Sequence, residues 1–397
     1  MDHSSIHRLN DDDLLQEQQH LAQVVATYNA YRRSSILVLE HKIAAIPQKP
    51  LYDQVRARLH SHIHCINHNA HLLNLITSEH QNEFLQSLLP DNGQKDETDQ
   101  HNKQLNKQLD KQLDKQSNDH SQKYTQLQLK VSDDYHITEG DLSKVQSTIR
   151  QFVRDWSEEG RVERTNVYGP ILDFMNLYYA HVPLQERGEI HVLIPGSGLG
   201  RLVFETVANG FSCQGNEFSM YMLLASNFIL NMPERAHEFT IYPWIHSFSN
   251  IPSAANQLQA IQIPDILVSD HVPPTVSFSM VAGDFIQIYG APNQKDQWDV
   301  VATCFFIDTA KDLTQYLTVI KHALKPKGIW INVGPLLYHF EGNADAVEFT
   351  LEEVKHLITE FGFVIQNEQT IKSTYAHNCK SMMNYEYQSE FWVAQSS

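Results

Sequence analysis

No stretch of eighteen consecutive apolar residues occurs in the 397-residue chain, so a membrane-spanning helix is not expected. Positive charge is scarce: 30 lysines and arginines face 47 aspartates and glutamates, a formal net charge of −17. An acidic balance of this size argues against nonspecific affinity for nucleic acid or for an anionic membrane. The opening MDHSSIHRLNDDD has neither the charge pattern nor the apolar core of a secretory leader. Cysteines are few, and Cys65, Cys213, Cys304 and Cys379 show no C-x-x-C spacing. That scatter argues against a disulfide framework and fits reduced thiols in a cytoplasmic, or also nuclear, setting.

What is present suits a globular chain long enough for two or more cores. From about Asp11 to Ile46, Leu14, Leu21, Val24, Val25, Tyr28 and Tyr31 recur at helical spacing, behind an aspartate run that favours a helix start. A second helical block runs from Leu51 to Leu88, which makes residues 1–88 an N-terminal all-helical region. Within it His60, His64, His68 and His71 share one face beside Cys65. Histidine pairs at i, i+4 suit zinc, but four ligands on one straight helix cannot surround one ion tetrahedrally. The stripe is read as solvated, and no metal is expected. Residues 89–128, where K-Q-L recurs every four positions, are too polar to bury a core and read as a disordered insertion or a solvated helix. Residues 129–186 contain VQSTIRQFVRDWSEEGRVERTNVYGPILDFM, which reads as two helices around a polar turn.

From residue 187 to 397 the texture changes to apolar strands alternating with helices: IHVLIP, then LVFETVANG, then FSCQGNE, and later WDVVATCFFID and GIWINVGPL. Alternation of this kind implies an α/β fold with a mostly parallel sheet and helices on both faces. FGFVIQNEQTI and NYEYQSEFWVAQ have no helix between them and read as an antiparallel C-terminal hairpin.

The run Gly196-Ser197-Gly198-Leu199-Gly200 sits between the first strand and a helix. No G-K-[ST] follows, so it is not a P-loop, and Arg201 occupies the place of the third glycine of a dinucleotide fingerprint. Gly196 and Gly198 instead leave room for a nucleoside passing close to the backbone. Glu217, ending the second strand, can accept from ribose hydroxyls, and Asp284 with Phe285 suit adenine by hydrogen bond and stacking. Together these point to S-adenosyl-L-methionine, with S-adenosyl-L-homocysteine as product.

PGSGLGRL, CQGNEFS, YPWIHSFSN, AGDF, ATCFFIDTA, GIWINVGPLLYHFE and SMMNYEY, in this order, resemble the carnosine N-methyltransferase family. The resemblance runs from about Gln151 to the C terminus. It implies a seven-stranded Rossmann-like methyltransferase sheet and transfer of a methyl group to an imidazole nitrogen of carnosine, giving anserine. It places cofactor contacts at Gln151, Arg154, Gly196, Glu217, Asp284, Phe285, Cys304 and Tyr316, and dipeptide contacts at Asp308, His339 and Tyr387. Tyr385 and Tyr375 are near enough in sequence to be further pocket candidates.

These residue types suit the chemistry. A histidine ring with a pKa near 6.5 is largely neutral at pH 7, so the enzyme chiefly selects and holds a tautomer. Asp308, just beyond a strand, is expected to accept the N–H of the non-reacting nitrogen, or else to bind the substrate ammonium. Arg154 is expected to reach the methionine carboxylate with a bidentate fork, Gln151 lying one turn earlier, so that QFVRDW closes as a lid. Two other readings stand beside this one: methylation of a histidine within a protein, and a non-catalytic cofactor-binding scaffold. Oligomeric state is not legible in the residues, and a homodimer stays open.

Overall fold

The computed structural model describes residues 11–87 and 135–397, so the K-Q-L tract and its expected disorder lie outside the described residues. Within the described residues the chain divides into two compact units. One takes its chain from Met1–Tyr52 and Ala70–Val145, the other from Asp53–Asn69 and Gln146–Ser397.

The first unit contains α1 (Asp11–Ala45), which starts at the aspartate run, and the second half of α2 (Asp53–Ser87). Val24, Val25, Tyr28 and Tyr31 are buried, as their helical spacing anticipates, and so are Leu72, Leu73 and Ile76 on α2.

The second unit continues from α2 through α3 (Glu139–Trp156), α4 (Arg161–Val167) and α5 (Gly169–Tyr178). The sequence anticipates two helices here, and three form. Pro170 lies in the first turn of α5, where its missing N–H costs nothing, and it starts a new helix. The sheet follows: β1 (His191–Pro195), α6 (Arg201–Ala208), β2 (Ser212–Glu217), α7 (Met220–Asn231), β5 (Phe278–Ala282), α9 (Phe285–Tyr289), β6 (Trp298–Cys304), α10 (Leu313–Ala323), β7 (Leu324–Gly334), α11 (Leu351–Glu360), β8 (Phe363–Ser373) and β9 (Tyr387–Ser396). Between α7 and β5 lies a separate two-stranded ribbon of β3 (Phe239–Ile241) and β4 (Ile261–Ile263), with the short α8 (Ala254–Gln257) between its strands.

The seven-stranded sheet has the order β5-β2-β1-β6-β7-β9-β8. β5, β2, β1, β6 and β7 pair in parallel, and β9 slides antiparallel between β7 and β8. Side chains alternate across it with the two-residue period of a strand. Val192, Ile194, Val300, Ala302, Ile329 and Ile331 face α4, α5 and α6, packing with Val167, Ile171 and Leu202. Leu193, Val301 and Trp330 face the other way, onto Leu317, Ile320 and Ile358 of α10 and α11. Two apolar faces are why these strands read as nearly continuous hydrophobic runs.

Candidate active site

The chain runs outward from β1 to β2 to β5 and then returns to lay β6 on the other side of β1. The loops leaving β1 and β6 therefore part at the carboxyl ends of the strands, where open α/β sheets bind ligands. A cavity of about 600 Å³ opens there, inside the roughly 300–1,000 Å³ span of small-molecule sites.

Gly196 and Gly198 turn the chain with φ of +64° and +54°. A Cβ on Gly196 would stand 2.4 Å from the Phe306 ring, so only glycine fits. The Gly198 N–H donates to Glu217 Oε2 at 2.8 Å, and Glu217 Oε1 accepts from the Phe218 and Ser219 N–H groups at 3.0 and 2.8 Å. Burial pushes the Glu217 carboxyl above its ordinary range, and these three donors pull it back. An ionised carboxylate has roughly four lone-pair directions, so three bonds do not exhaust it. Asp284 caps α9, its Oδ1 accepting from the Gln287 N–H at 2.9 Å, and also lines the cavity. Beside it Phe306 stacks on Tyr316 with centroids 4.6 Å apart, and Phe285 meets both rings edge-on at 5.3 and 5.4 Å.

The opposite wall comes from α3. Arg154 is buried, with Nη1 3.1 Å from Asp155 and Nε 3.0 Å from Glu163. Its guanidinium lies over the rings of Tyr375 and Tyr168 at 4.7 and 5.0 Å. Asp155 also accepts from Gln151 Nε2 at 2.9 Å and from the Tyr168 hydroxyl at 2.8 Å. Trp156 donates through Nε1 to the Leu199 carbonyl at 3.0 Å, tying the helix to the glycine loop. Every residue of QFVRDW is buried, and the segment forms one wall of the cavity. Cys304 lines the cavity close to Arg154, and burial pushes its thiol up to about 12, which keeps it protonated.

A second cavity of about 510 Å³ adjoins the first, with Tyr375 lining both. The Phe305 ring stands at the junction, 5.0 Å from Tyr375 and 6.0 Å from Tyr387. Tyr385 and Tyr387 belong to this second cavity, together with Arg150, Trp244 and Phe248. The loop between β8 and β9 is held on one side by Glu163, which accepts from Thr374 Oγ1 at 3.1 Å and from the Ala376 N–H at 2.8 Å. On the other side, the Met382 N–H donates to the Asn250 carbonyl at 2.9 Å.

Asp308 lies in the short turn that follows β6. It is 3% exposed, and its Oδ2 accepts from the Leu337 N–H at 3.0 Å, while its carbonyl accepts from the His339 N–H at 3.0 Å. His339 lines the first cavity, and Asp308 lines neither, because the loop after β7 folds over its carboxylate. Burial raises the Asp308 carboxyl, opposed by the Leu337 N–H and by the nearby His339.

Gln151, Arg154, Gly196, Gly198, Glu217, Asp284, Phe285, Cys304 and Tyr316 are thus brought together around one cavity, with His339 and Tyr375 at its rim. Sequence reasoning missed Asp155, Glu163, Phe305, Phe306, Arg150 and Trp244. The word YPWIHSFSN carries Trp244, and its aromatic density was the available signal. His60, His64, His68 and His71 are exposed, and among the described residues no group of three or more His, Cys, Asp or Glu gathers to hold a metal ion.

A sequence model of the carnosine N-methyltransferase family matches residues 131–397. A carnosine N-methyltransferase of Schizosaccharomyces pombe is 42% identical over 270 residues, covering 65% of this chain and 72% of the relative. One of Mus musculus is 44% identical over 259 residues, covering 64% of this chain and 63% of the relative, less than two thirds of its length. Among solved structures, a SAM-dependent methyltransferase of Methanosarcina mazei aligns at 12% identity and a TM-score of 0.37, over 55% of this chain and 96% of that one. The fold assignment rests on the strand order itself.

Proposed function

Because the chain belongs to the carnosine N-methyltransferase family, we propose that it methylates an imidazole nitrogen of carnosine, giving anserine and S-adenosyl-L-homocysteine. The observation that carries this reading is the pair of adjoining cavities that share Tyr375, one with the glycine turn and acid of a nucleoside site, the other aromatic.

S-adenosyl-L-methionine supplies an electrophilic methyl group on sulfur, which leaves with the sulfur–carbon electron pair as a thioether. The residues present fit such a molecule. Gly196 leaves a hollow that a Cβ would fill. Glu217 keeps a lone-pair direction for a ribose hydroxyl, and Phe285 with Asp284 offers a ring face and an acceptor for adenine. Arg154 has two buried carboxylates beside it. Its role toward a methionine carboxylate is therefore shared with Gln151, and it does not act as a free bidentate fork.

The acceptor ring enters as neutral imidazole, so no strong base is required. Phe305, Tyr375 and Tyr387 form the aromatic junction that orients it, and His339 meets the dipeptide at the rim. Orientation of this kind can contribute roughly 7–11 kcal/mol. The new N–C bond leaves a cationic imidazolium, which then loses its N–H proton to solvent. Asp308, one layer behind His339, acts as a positioning residue: it holds the loop that carries His339 and supplies negative charge toward the forming cation.

The test is to incubate the purified full chain with methyl-labelled S-adenosyl-L-methionine, carnosine and a cell extract. Label in the dipeptide is expected. Label confined to protein bands would overturn the small-molecule reading.

A further inference from the structure

Asp155 is a buried acid that the methyl transfer described above does not use. It is 1% exposed and does not line the first cavity, although Gln151, Arg154 and Tyr168 around it all do. Its carboxylate collects one donor from each of those residues. Oδ2 accepts from Gln151 Nε2 at 2.9 Å, while Oδ1 accepts from Arg154 Nη1 at 3.1 Å and from the Tyr168 hydroxyl at 2.8 Å. Arg154 alone does not call for this acid, because Glu163 already meets its Nε at 3.0 Å. One guanidinium beside two buried carboxylates is more acid than charge balance requires, and desolvating the second is costly. What that second acid achieves lies in the groups that bond to it.

The backbone fixes where the carboxylate stands. The Asp155 carbonyl accepts from Arg201 Nη1 at 2.9 Å, at the start of α6, and the next residue, Trp156, bonds to the Leu199 carbonyl. A Cβ built on Gly198 would come within 3.9 Å of Asp155 Oδ2. Asp155 is therefore held just behind the glycine turn, and from there it sets the direction of two side chains. An ionised carboxylate only accepts, so the Gln151 amide turns its NH2 group to Asp155, leaving its second N–H and Oε1 for another partner. Arg154 in turn spends Nη1 on Asp155 and Nε on Glu163, which leaves the Nη2 edge, near Cys304, for the cavity. A guanidinium edge beside an amide of fixed orientation matches the end of an amino acid: N–H donors for the α-carboxylate, Oε1 for the α-ammonium.

We infer that Asp155 is the positioning residue for the methionine end of the cofactor, presenting Gln151 and Arg154 to it from behind the cavity wall. This inference rests on the cofactor placement above and holds whatever the acceptor is.

The test is calorimetry of the full chain with S-adenosyl-L-homocysteine and with 5′-methylthioadenosine, which keeps the nucleoside and the sulfur but lacks the amino-acid end. The weaker ligand is read by displacement. Asp155→Asn keeps the size of the side chain, removes its charge and turns an N–H toward donors. It should weaken S-adenosyl-L-homocysteine about tenfold or more, as loss of a charge-assisted hydrogen bond does, and leave 5′-methylthioadenosine within about twofold. Equal losses on both ligands would mean that Asp155 only supports the fold, and no loss on either would mean that Gln151 and Arg154 need no positioning. Each result overturns the inference. If Asp155→Asn does not fold, Tyr168→Phe decides, since it removes one donor to the carboxylate and keeps the ring beside Arg154. The same contrast between the ligands is then expected at about threefold, and its absence overturns the role. An unaltered chain that binds neither ligand would overturn the cofactor placement itself, and this inference with it.

Discussion

Burying a carboxylate demands partners, and Asp308 has a backbone N–H and a neighbouring histidine to meet that demand. Asp308→Asn keeps the shape and an oxygen for the Leu337 N–H, so it isolates the charge. Thermal stability should change by only a few degrees, KM for carnosine by less than about threefold, and kcat should fall about tenfold or more. A kcat equal to that of the unaltered enzyme would show that the charge has no part in turnover. Gly196 makes a different kind of demand. Its backbone sits at φ +64° and a methyl group there would press into the Phe306 ring. Gly196→Ala adds left-handed strain of roughly 1–2 kcal/mol and displaces the ring that stacks on Tyr316. Calorimetry should find the affinity for S-adenosyl-L-homocysteine weakened by about tenfold or more, and an unchanged affinity would remove the glycine turn from the cofactor site.

Elements, more than single residues, decide what a sequence reader can see. The long helices and the β1, β2, β6 and β7 strands announce themselves, because one buried face repeats every third or fourth residue and two buried faces give unbroken apolar runs. β3 and β4 are three residues each, too short for any period, so the ribbon left no periodic signal, and only the aromatic density of YPWIHSFSN marked Trp244. Glu163 and Asp155 look like ordinary acids on amphipathic helices; only the fold shows that α3 and α4 turn them inward onto Arg154. The proposed cofactor site was legible because glycines, Glu217 and Asp284-Phe285 sit at strand ends fixed by topology. The proposed acceptor site was only half legible, since the walls of the second cavity come from α3, the segment after β3 and the loop between β8 and β9. Glu163 ties two of these pieces together. Glu163→Ala would leave Arg154 short of a buried partner and free the Thr374 and Ala376 donors. Unfolding should show a loss of roughly 3–5 kcal/mol, and limited proteolysis should newly cut between residues 374 and 386. A variant as stable and as resistant as the unaltered chain would mean that the clamp is idle.

At the scale of the whole molecule, the acidic balance and the buried histidines pull stability in opposite directions with pH. His246 is held down at about 4 by burial and by Arg150 and His62, and burial lowers His62 as well. An unfolded histidine protonates near 6.5. Below that pH the unfolded chain binds protons that the folded one refuses, so stability falls as pH drops. For His246 the slope approaches about 1.4 kcal/mol per pH unit, and the contribution is complete above about 6.5 and gone below about 4; His62 adds with the same sign. Glu217 and Asp308, whose carboxyls burial raises, contribute with the reverse sign in the lower part of that window. A neutral replacement separates the two. His246→Gln keeps a polar side chain and removes the titration, so the thermal midpoint of the variant should fall less steeply than that of the unaltered protein between about pH 7 and pH 5. Parallel midpoint curves over that range would mean that His246 takes up its proton in the folded state, and that the corner around Arg150 is open to water.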